Sequence, residues 1–212
     1  MNLVLIGASG YVGSGLLQEA LARGHAVRAL VRDAAKLAPA PGLVVQSLDV
    51  FDTAALTAAL RGADAVLTAF SGHAHGDVRA DYLRGLRSIL AAVKAAGVPR
   101  LLVVGGAGSL EVAPGVQLVD TPAFPAEWLG TALGARDALA LLRDEPALDW
   151  TMLSPSALLV PGERTGRFRL GGDQLLVGAD GESRISVADY AVAMLDELER
   201  PAHPRRRFTV GY

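Results

Sequence analysis

Cysteine is absent from the 212 residues, which excludes disulfides, thiolate nucleophiles and cysteine-held metals. Lysine occurs only at Lys36 and Lys94, and the net charge is −2. That balance offers no electrostatic basis for binding nucleic acid or an anionic membrane surface. No apolar run reaches the roughly 18 residues that a spanning helix needs. No charged-then-apolar leader precedes the first apolar run, so a cytoplasmic protein is expected. No internal repeat or low-complexity linker divides the chain. Its length fits one α/β domain, residues 1–212, with 156–212 forming a small appendage on the substrate side.

What is present begins at the N-terminus. Leu3-Val4-Leu5-Ile6 is a continuous apolar run, as expected of a strand buried on both faces. Gly7-Ala8-Ser9-Gly10-Tyr11-Val12-Gly13 follows, and then Leu16, Leu17, Ala20 and Leu21 recur at the spacing of one helix face. Strand, glycine turn and helix in that order make a phosphate cradle. Gly7 permits the sharp turn, Gly10 a close backbone approach to a pyrophosphate, and Gly13 close packing of helix on sheet. The spacing is G-x-x-G-x-x-G rather than G-x-G-x-x-G, and its place directly after an apolar strand is what gives it weight.

The pattern then alternates. Strands are expected at His25–Val31, Leu43–Leu48, Ala65–Phe70, Arg100–Gly105 and Trp150–Leu153. Helices are expected after the Asp52/Thr53 and Asp77 caps and from Trp128 to Arg143. Such alternation predicts a doubly wound parallel sheet whose ligands lie at the strands' carboxyl ends. The loop from Gly106 to Pro125 is long enough to suggest a functional segment. Beyond Pro161 the chain is rich in glycine and arginine. There Leu175–Val177 reads as a short strand, Ser186 to Asp189 as a capping box, and Arg207–Val210 as an edge strand. The position of Pro161 to Asp180 after the sixth strand suggests a segment that closes over the site.

Topology also nominates side chains. The residue ending the second strand distinguishes the two nicotinamide dinucleotides: a carboxylate accepts from a ribose 2′-hydroxyl, whereas an arginine accommodates a 2′-phosphate. Arg32 stands there and favours NADP(H) over NAD(H), with the neighbouring Asp33 as the competing reading. Asp49 and Val50 after the third strand are placed to meet adenine, with a turn or capping role for the acid as the alternative. Phe70, Ser71 and Gly72 follow the fourth strand, Gly105, Gly106 and Ala107 the fifth, and Pro155, Ser156 and Ala157 the sixth. All lie where a dinucleotide would run toward its nicotinamide. His73 and His75 could reach a metal or donate a proton, but no third ligand is evident and a solvated loop is the simpler reading.

One absence bears directly on chemistry. Short-chain dehydrogenases that reduce carbonyls place Tyr-x-x-x-Lys on the helix after the fifth strand, and the stretch Trp128–Arg143 contains neither residue. Carbonyl reduction needs an acid for the developing alkoxide. Reduction of a flavin does not, because the product anion is delocalised and solvent can protonate it.

Over nearly its whole length the chain resembles the NAD(P)H-binding, NmrA-like atypical short-chain dehydrogenase/reductases, and within them the group described as NADH–flavin reductases. The matching stretches are Gly7 to Gly13, Ala29-Leu30-Val31-Arg32, Leu102 to Leu110, Trp150 to Ser156, Pro161 to Gly166 and Ile185 to Ala191. The resemblance implies a Rossmann fold, phosphates on Ser9 to Val12 and a 2′-phosphate near Arg32. It also implies nicotinamide contacts near Gly105 to Ala107 and Pro155 to Ala157. It implies a reductase whose acceptor is a flavin or quinone-like small molecule. Members that bind the cofactor without turnover, as redox sensors, supply the alternative. A sugar-nucleotide epimerase or dehydratase is disfavoured by the missing tyrosine and lysine. No catalytic residue or metal site is assigned, and the oligomeric state is open.

Overall fold

The computed structural model describes residues 1–73 and 76–212. In chain order the elements begin with β1 (Asn2–Ile6), α1 (Tyr11–Ala22), β2 (Ala26–Val31), β3 (Leu43–Ser47), α2 (Thr53–Leu60), β4 (Ala65–Thr68), α3 (Val78–Ala96) and β5 (Arg100–Val104). They continue with β6 (Glu111–Ala113), β7 (Val116–Gln117), α4 (Leu129–Arg143), β8 (Asp149–Ser154), β9 (Leu158–Val160), β10 (Arg169–Gly171), β11 (Arg184–Ser186), α5 (Val187–Glu199) and β12 (Arg206–Gly211). The main sheet runs β10-β12-β8-β5-β4-β1-β2-β3, parallel throughout except for β10. This is the doubly wound α/β fold that the alternating pattern predicts.

Unbroken apolar strands follow from helices on both faces. Along β1, Val4 and Ile6 join the core beneath α2, α3 and α4, while Leu3 and Leu5 join the one beneath α1 and α5. Along β5, Leu101 and Val103 face the first layer and Leu102 the second. The strand order reverses between β1 and β4, and Gly7 marks the spot. Its φ of +81° is open to glycine, and a Cβ there would lie 3.1 Å from the Ala69 carbonyl on the far side of the reversal. Open α/β sheets bind ligands at such a reversal, outside the strands' carboxyl ends.

The C-terminal third departs from expectation in three ways. First, β12 is interior, parallel to β8 on one side and capped by the antiparallel β10 on the other. Together with α5, which packs against α1, it completes the main core, and Ile185 of the separate two-stranded β9–β11 sheet is buried in that core as well. Second, Leu175–Val177 forms no strand; Gln174 makes an isolated bridge to Glu111, the Leu175 amide donates to the Glu111 carbonyl, and β10 is the strand instead. Apolar residues alone did not distinguish these, because Leu176 is held by packing over Gly171 and Gly211 rather than by a ladder.

Third, the segment from 161 to 180 is tied down away from the cavities described below. Arg164 pairs with both carboxylate oxygens of the buried Glu19 on α1, each at 2.8 Å. The fully buried Asp189 of α5 accepts from the Thr165 hydroxyl at 2.6 Å and the Gly166 amide at 2.8 Å. Farther on, the buried Arg207 of β12 donates through Nε to Asp173 at 2.7 Å. Hydrogen bonds from Arg164 lead the effects that hold the Glu19 carboxyl below its ordinary pKa; burial opposes them and Arg23 assists. A lowered carboxyl pKa stabilises the fold above the unfolded value, and that contribution disappears as pH falls through the folded value. Because Arg164 is exposed, its pair is largely screened. Arg164→Ala is therefore expected to lower the melting temperature only slightly at pH 7 and to leave affinity for the expected nicotinamide dinucleotide unchanged within about twofold. A large loss of affinity in a fluorescence titration would restore the segment to the site.

Candidate functional site

The glycine turn is built as its sequence predicts. The Gly10 amide donates to the Gly7 carbonyl at 3.0 Å, and Gly10 itself caps α1 without a side-chain bond. Among the described residues nothing accepts from the amides of Tyr11, Val12 and Gly13, and no acid occupies the first turn. These unclaimed donors, with the positive end of the helix dipole, suit an anion. Gly13 lies beneath them: a Cβ at this position would stand 2.0 Å from the Gly7 carbonyl oxygen.

Two cavities open along the carboxyl ends of the strands. One, of about 830 Å³, runs from Gly7, Ser9 and Gly10 past Arg32 to Asp49 and Val50. The other, of about 890 Å³, begins at Tyr11 and Val12 and extends past Gly105, Gly106 and Ala107 to Pro155, Ser156 and Ala157. Gly10, Arg32, Ala69, Phe70, Ser71 and His73 line both, so the two are continuous. Of the described residues nominated from sequence, Gly13 alone lines neither, and Gly72 belongs to the first. The structure therefore gathers positions from residue 7 to residue 157 along one trough. No part of residues 161 to 180 lines either cavity.

Several of these residues are placed by packing. Gly72 has φ +72°, and a Cβ would meet the Val78 carbonyl oxygen at 2.5 Å, which seats the loop against the start of α3. Phe70 lies over Gly85 of α3 and stacks on Tyr82, with centroids 6.2 Å apart, forming part of the wall shared by the cavities. Val50 is buried in the core. The Ser156 hydroxyl is taken up by the Val210 carbonyl at 2.9 Å. Tyr11 is 56% exposed and its hydroxyl reaches the Leu159 carbonyl at 3.3 Å, spanning from α1 to β9.

At the first cavity, Arg32 and Asp33 both line the wall, and their surroundings differ. Asp33 accepts from the Ala35 amide at 3.0 Å and caps the short turn Ala34–Lys36. The Arg32 side chain is exposed and has no partner among the described residues. Lys36, which the sequence reading passed over, lines the same cavity four residues later. Asp49 accepts from the Phe51 amide at 2.9 Å, a turn role that leaves it exposed at the cavity wall.

The second cavity also holds residues that periodicity could not nominate. Leu118, Thr121, Phe124 and Pro125 come from the long loop, which is thus a wall of the chamber and carries the β6–β7 hairpin. Glu127 and Trp128 come from the short turn Ala126–Trp128 that leads into α4, and Thr131 from the first turn of α4. Gly134, which weakens that helix by propensity, admits Tyr82 of α3: a Cβ there would lie 3.1 Å from its ring. Tyr82 is the buried tyrosine of the chamber; its hydroxyl donates to the Val104 carbonyl at 3.2 Å, and burial pushes its pKa well up. It therefore keeps its proton at neutral pH, directed at that carbonyl. His73 is exposed and its Nε2 lies 3.2 Å from the Thr131 hydroxyl. His75 lies outside the described residues. Among the described residues, no three histidines or carboxylates converge as a metal site requires.

The sequence profile of the NAD(P)H-binding family matches residues 7–198. An uncharacterized protein of Bacillus subtilis is 45% identical, the match covering 99% of this chain and 98% of that one. A solved structure from Bacteroides thetaiotaomicron, described as a candidate epimerase, is 45% identical, covers 100% of this chain and 96% of its own, and superposes with a TM-score of 0.93. Another from Streptococcus pneumoniae, described as a candidate NADH–flavin reductase, is 35% identical, covers 100% and 99%, and has a TM-score of 0.88.

Proposed function

The chain belongs to the NAD(P)H-binding family, and from that premise we propose that it is an oxidoreductase that passes a hydride from NADPH to a flavin or similar planar acceptor. One observation carries this reading. The chamber beyond Gly105–Ala107 is walled by Phe124, Trp128 and Tyr11, yet the α4 face that would bear a carbonyl-reducing tyrosine presents Thr131, Ala132 and Ala135. The likeness to a candidate flavin reductase supports it, and the likeness to a candidate epimerase is countered by the same missing acid.

The residues fit the cofactor by their own geometry. The open amides of Tyr11 to Gly13 would hold the pyrophosphate. Arg32 and Lys36 would hold a 2′-phosphate, and the exposed Asp49 with the Val50 main chain would border adenine. Gly105, Gly106, Pro155 and Ala157 would leave room for the nicotinamide and an acceptor ring stacked on it. Such a site works by orientation and by limiting water between the two rings, which is sufficient where no alkoxide must be protonated. The balance is one NADPH, one oxidised acceptor and one proton from solvent, giving NADP⁺ and the two-electron-reduced acceptor.

NADPH oxidation by the purified protein is expected to accelerate on addition of flavin. Tight NADPH binding with no acceleration by flavins or quinones would leave a cofactor-sensing binder instead. His73→Ala and Thr131→Val are each expected to leave flavin-dependent kcat within about threefold, since a true general acid contributes roughly 10²–10⁴-fold. A fall of that size, with a lost limb in the pH profile, would assign the proton to that pair.

A further inference from the structure

The electrostatics of the chamber restrict its occupant beyond planarity. We infer that the acceptor is an uncharged ring system without a phosphate, such as a flavin lacking its phosphate or a neutral quinone; this rests on the reductase reading above. Of the described residues that line the chamber but not the neighbouring cavity, Glu127 alone carries a charge. It is exposed and has no ion-pair or hydrogen-bond partner among the described residues. Nearby cations are already engaged: Arg136 pairs with Asp120 at 2.8 Å, and Arg79 with Asp137 at 2.6 Å. Arg32 lies at the shared wall, where the 2′-phosphate of the dinucleotide would claim it.

The rest of the wall is apolar or weakly polar. Phe124, Trp128, Leu118, Leu158 and Leu159 offer apolar and aromatic surface to a ring. A phosphate monoester carries close to two negative charges at neutral pH and is bound in proteins by arginine, lysine or open amides. Apart from Arg32 at the shared wall, the chamber's lining supplies no arginine or lysine, and it adds a carboxylate. A phosphorylated flavin would bring its tail into a site with the wrong sign.

The test compares riboflavin with FMN, which share one ring and differ by the phosphate, using menadione as a neutral quinone. Binding to NADP⁺-saturated protein is read by flavin fluorescence, and turnover by NADPH oxidation. Riboflavin is expected to bind and turn over at least about tenfold better than FMN, equivalent to 1.4 kcal/mol. That ratio is expected to shrink with added salt, as screening weakens the repulsion, and to fall severalfold in Glu127→Lys. FMN binding as tightly as riboflavin, or a ratio unmoved by both salt and Glu127→Lys, would overturn the inference. Riboflavin-selective binding without turnover would uphold the inference about the chamber and sink the reductase reading. Failure of all three probes to bind would overturn the inference.

Discussion

Gly13→Ala is expected to destabilise the protein by about 3 kcal/mol or more and to abolish measurable NADPH binding. A methyl group on Gly13 would stand 2.0 Å from the Gly7 carbonyl oxygen, 2.8 Å from its carbon and 3.1 Å from the Ala8 Cα. All three are backbone atoms, so no side-chain rotation relieves the clash. Either α1 lifts from β1, opening the core around Leu16 and Leu17, or the turn deforms and its open amides lose their aim. Gly10→Ala is the matched control. Its φ of −80° suits any residue, and its Cβ would meet one oxygen at 3.3 Å. A loss of about 1 kcal/mol, typical of alanine at a helix cap, is expected there. Chemical denaturation of the two variants separates the cases; equal stabilities would show that the helix accommodates the methyl by shifting as a body.

Arg32→Ala is expected to weaken NADPH about 30- to 100-fold while leaving NADH within about threefold. A charge-assisted bond to a phosphate contributes roughly 1.5–3 kcal/mol, and NADH lacks that phosphate. Arg32 is exposed at the cavity wall with no competing partner among the described residues, and Asp33 beside it is occupied in capping the next turn. Lys36→Ala is expected to act in the same direction with a smaller effect, because a flexible ammonium at the cavity wall is a point charge rather than a fork. Competitive titrations of the oxidised and reduced dinucleotides measure both. Equal losses for NADPH and NADH would show that Arg32 does not read the 2′-phosphate.

Most of the main sheet was legible in the sequence because its signals are local. Buried parallel strands must be apolar on both faces, and Asp52, Asp77 and Ser186 do cap the helices they precede, each accepting from an amide three residues on. Gly97 closes α3 with φ +69°, as a left-handed terminal residue should. The errors came where packing outvoted local character. Leu175–Val177 has strand composition, but its pairing with Glu111 stops at a single bridge at Gln174 and builds no ladder. Arg207–Val210 reads as an edge strand, yet it lies between β8 and β10 with Arg207 buried against Asp173 and Ser109.

The sequence alone determined the strand, glycine turn and helix, the alternation that places every nominated loop at one end of the sheet, and the missing tyrosine and lysine. Each depends on residues within a few turns of one another, where backbone sterics and side-chain periodicity act directly. Tertiary structure decided the rest. It set Glu127 and Trp128 in the wall of one chamber with Tyr11 and Leu158, left Arg32 exposed beside the capping Asp33, and pinned Arg164 to Glu19, outside the lining of both cavities. Those arrangements depend on how helices and loops separated by tens of residues pack against one sheet, which no local pattern records.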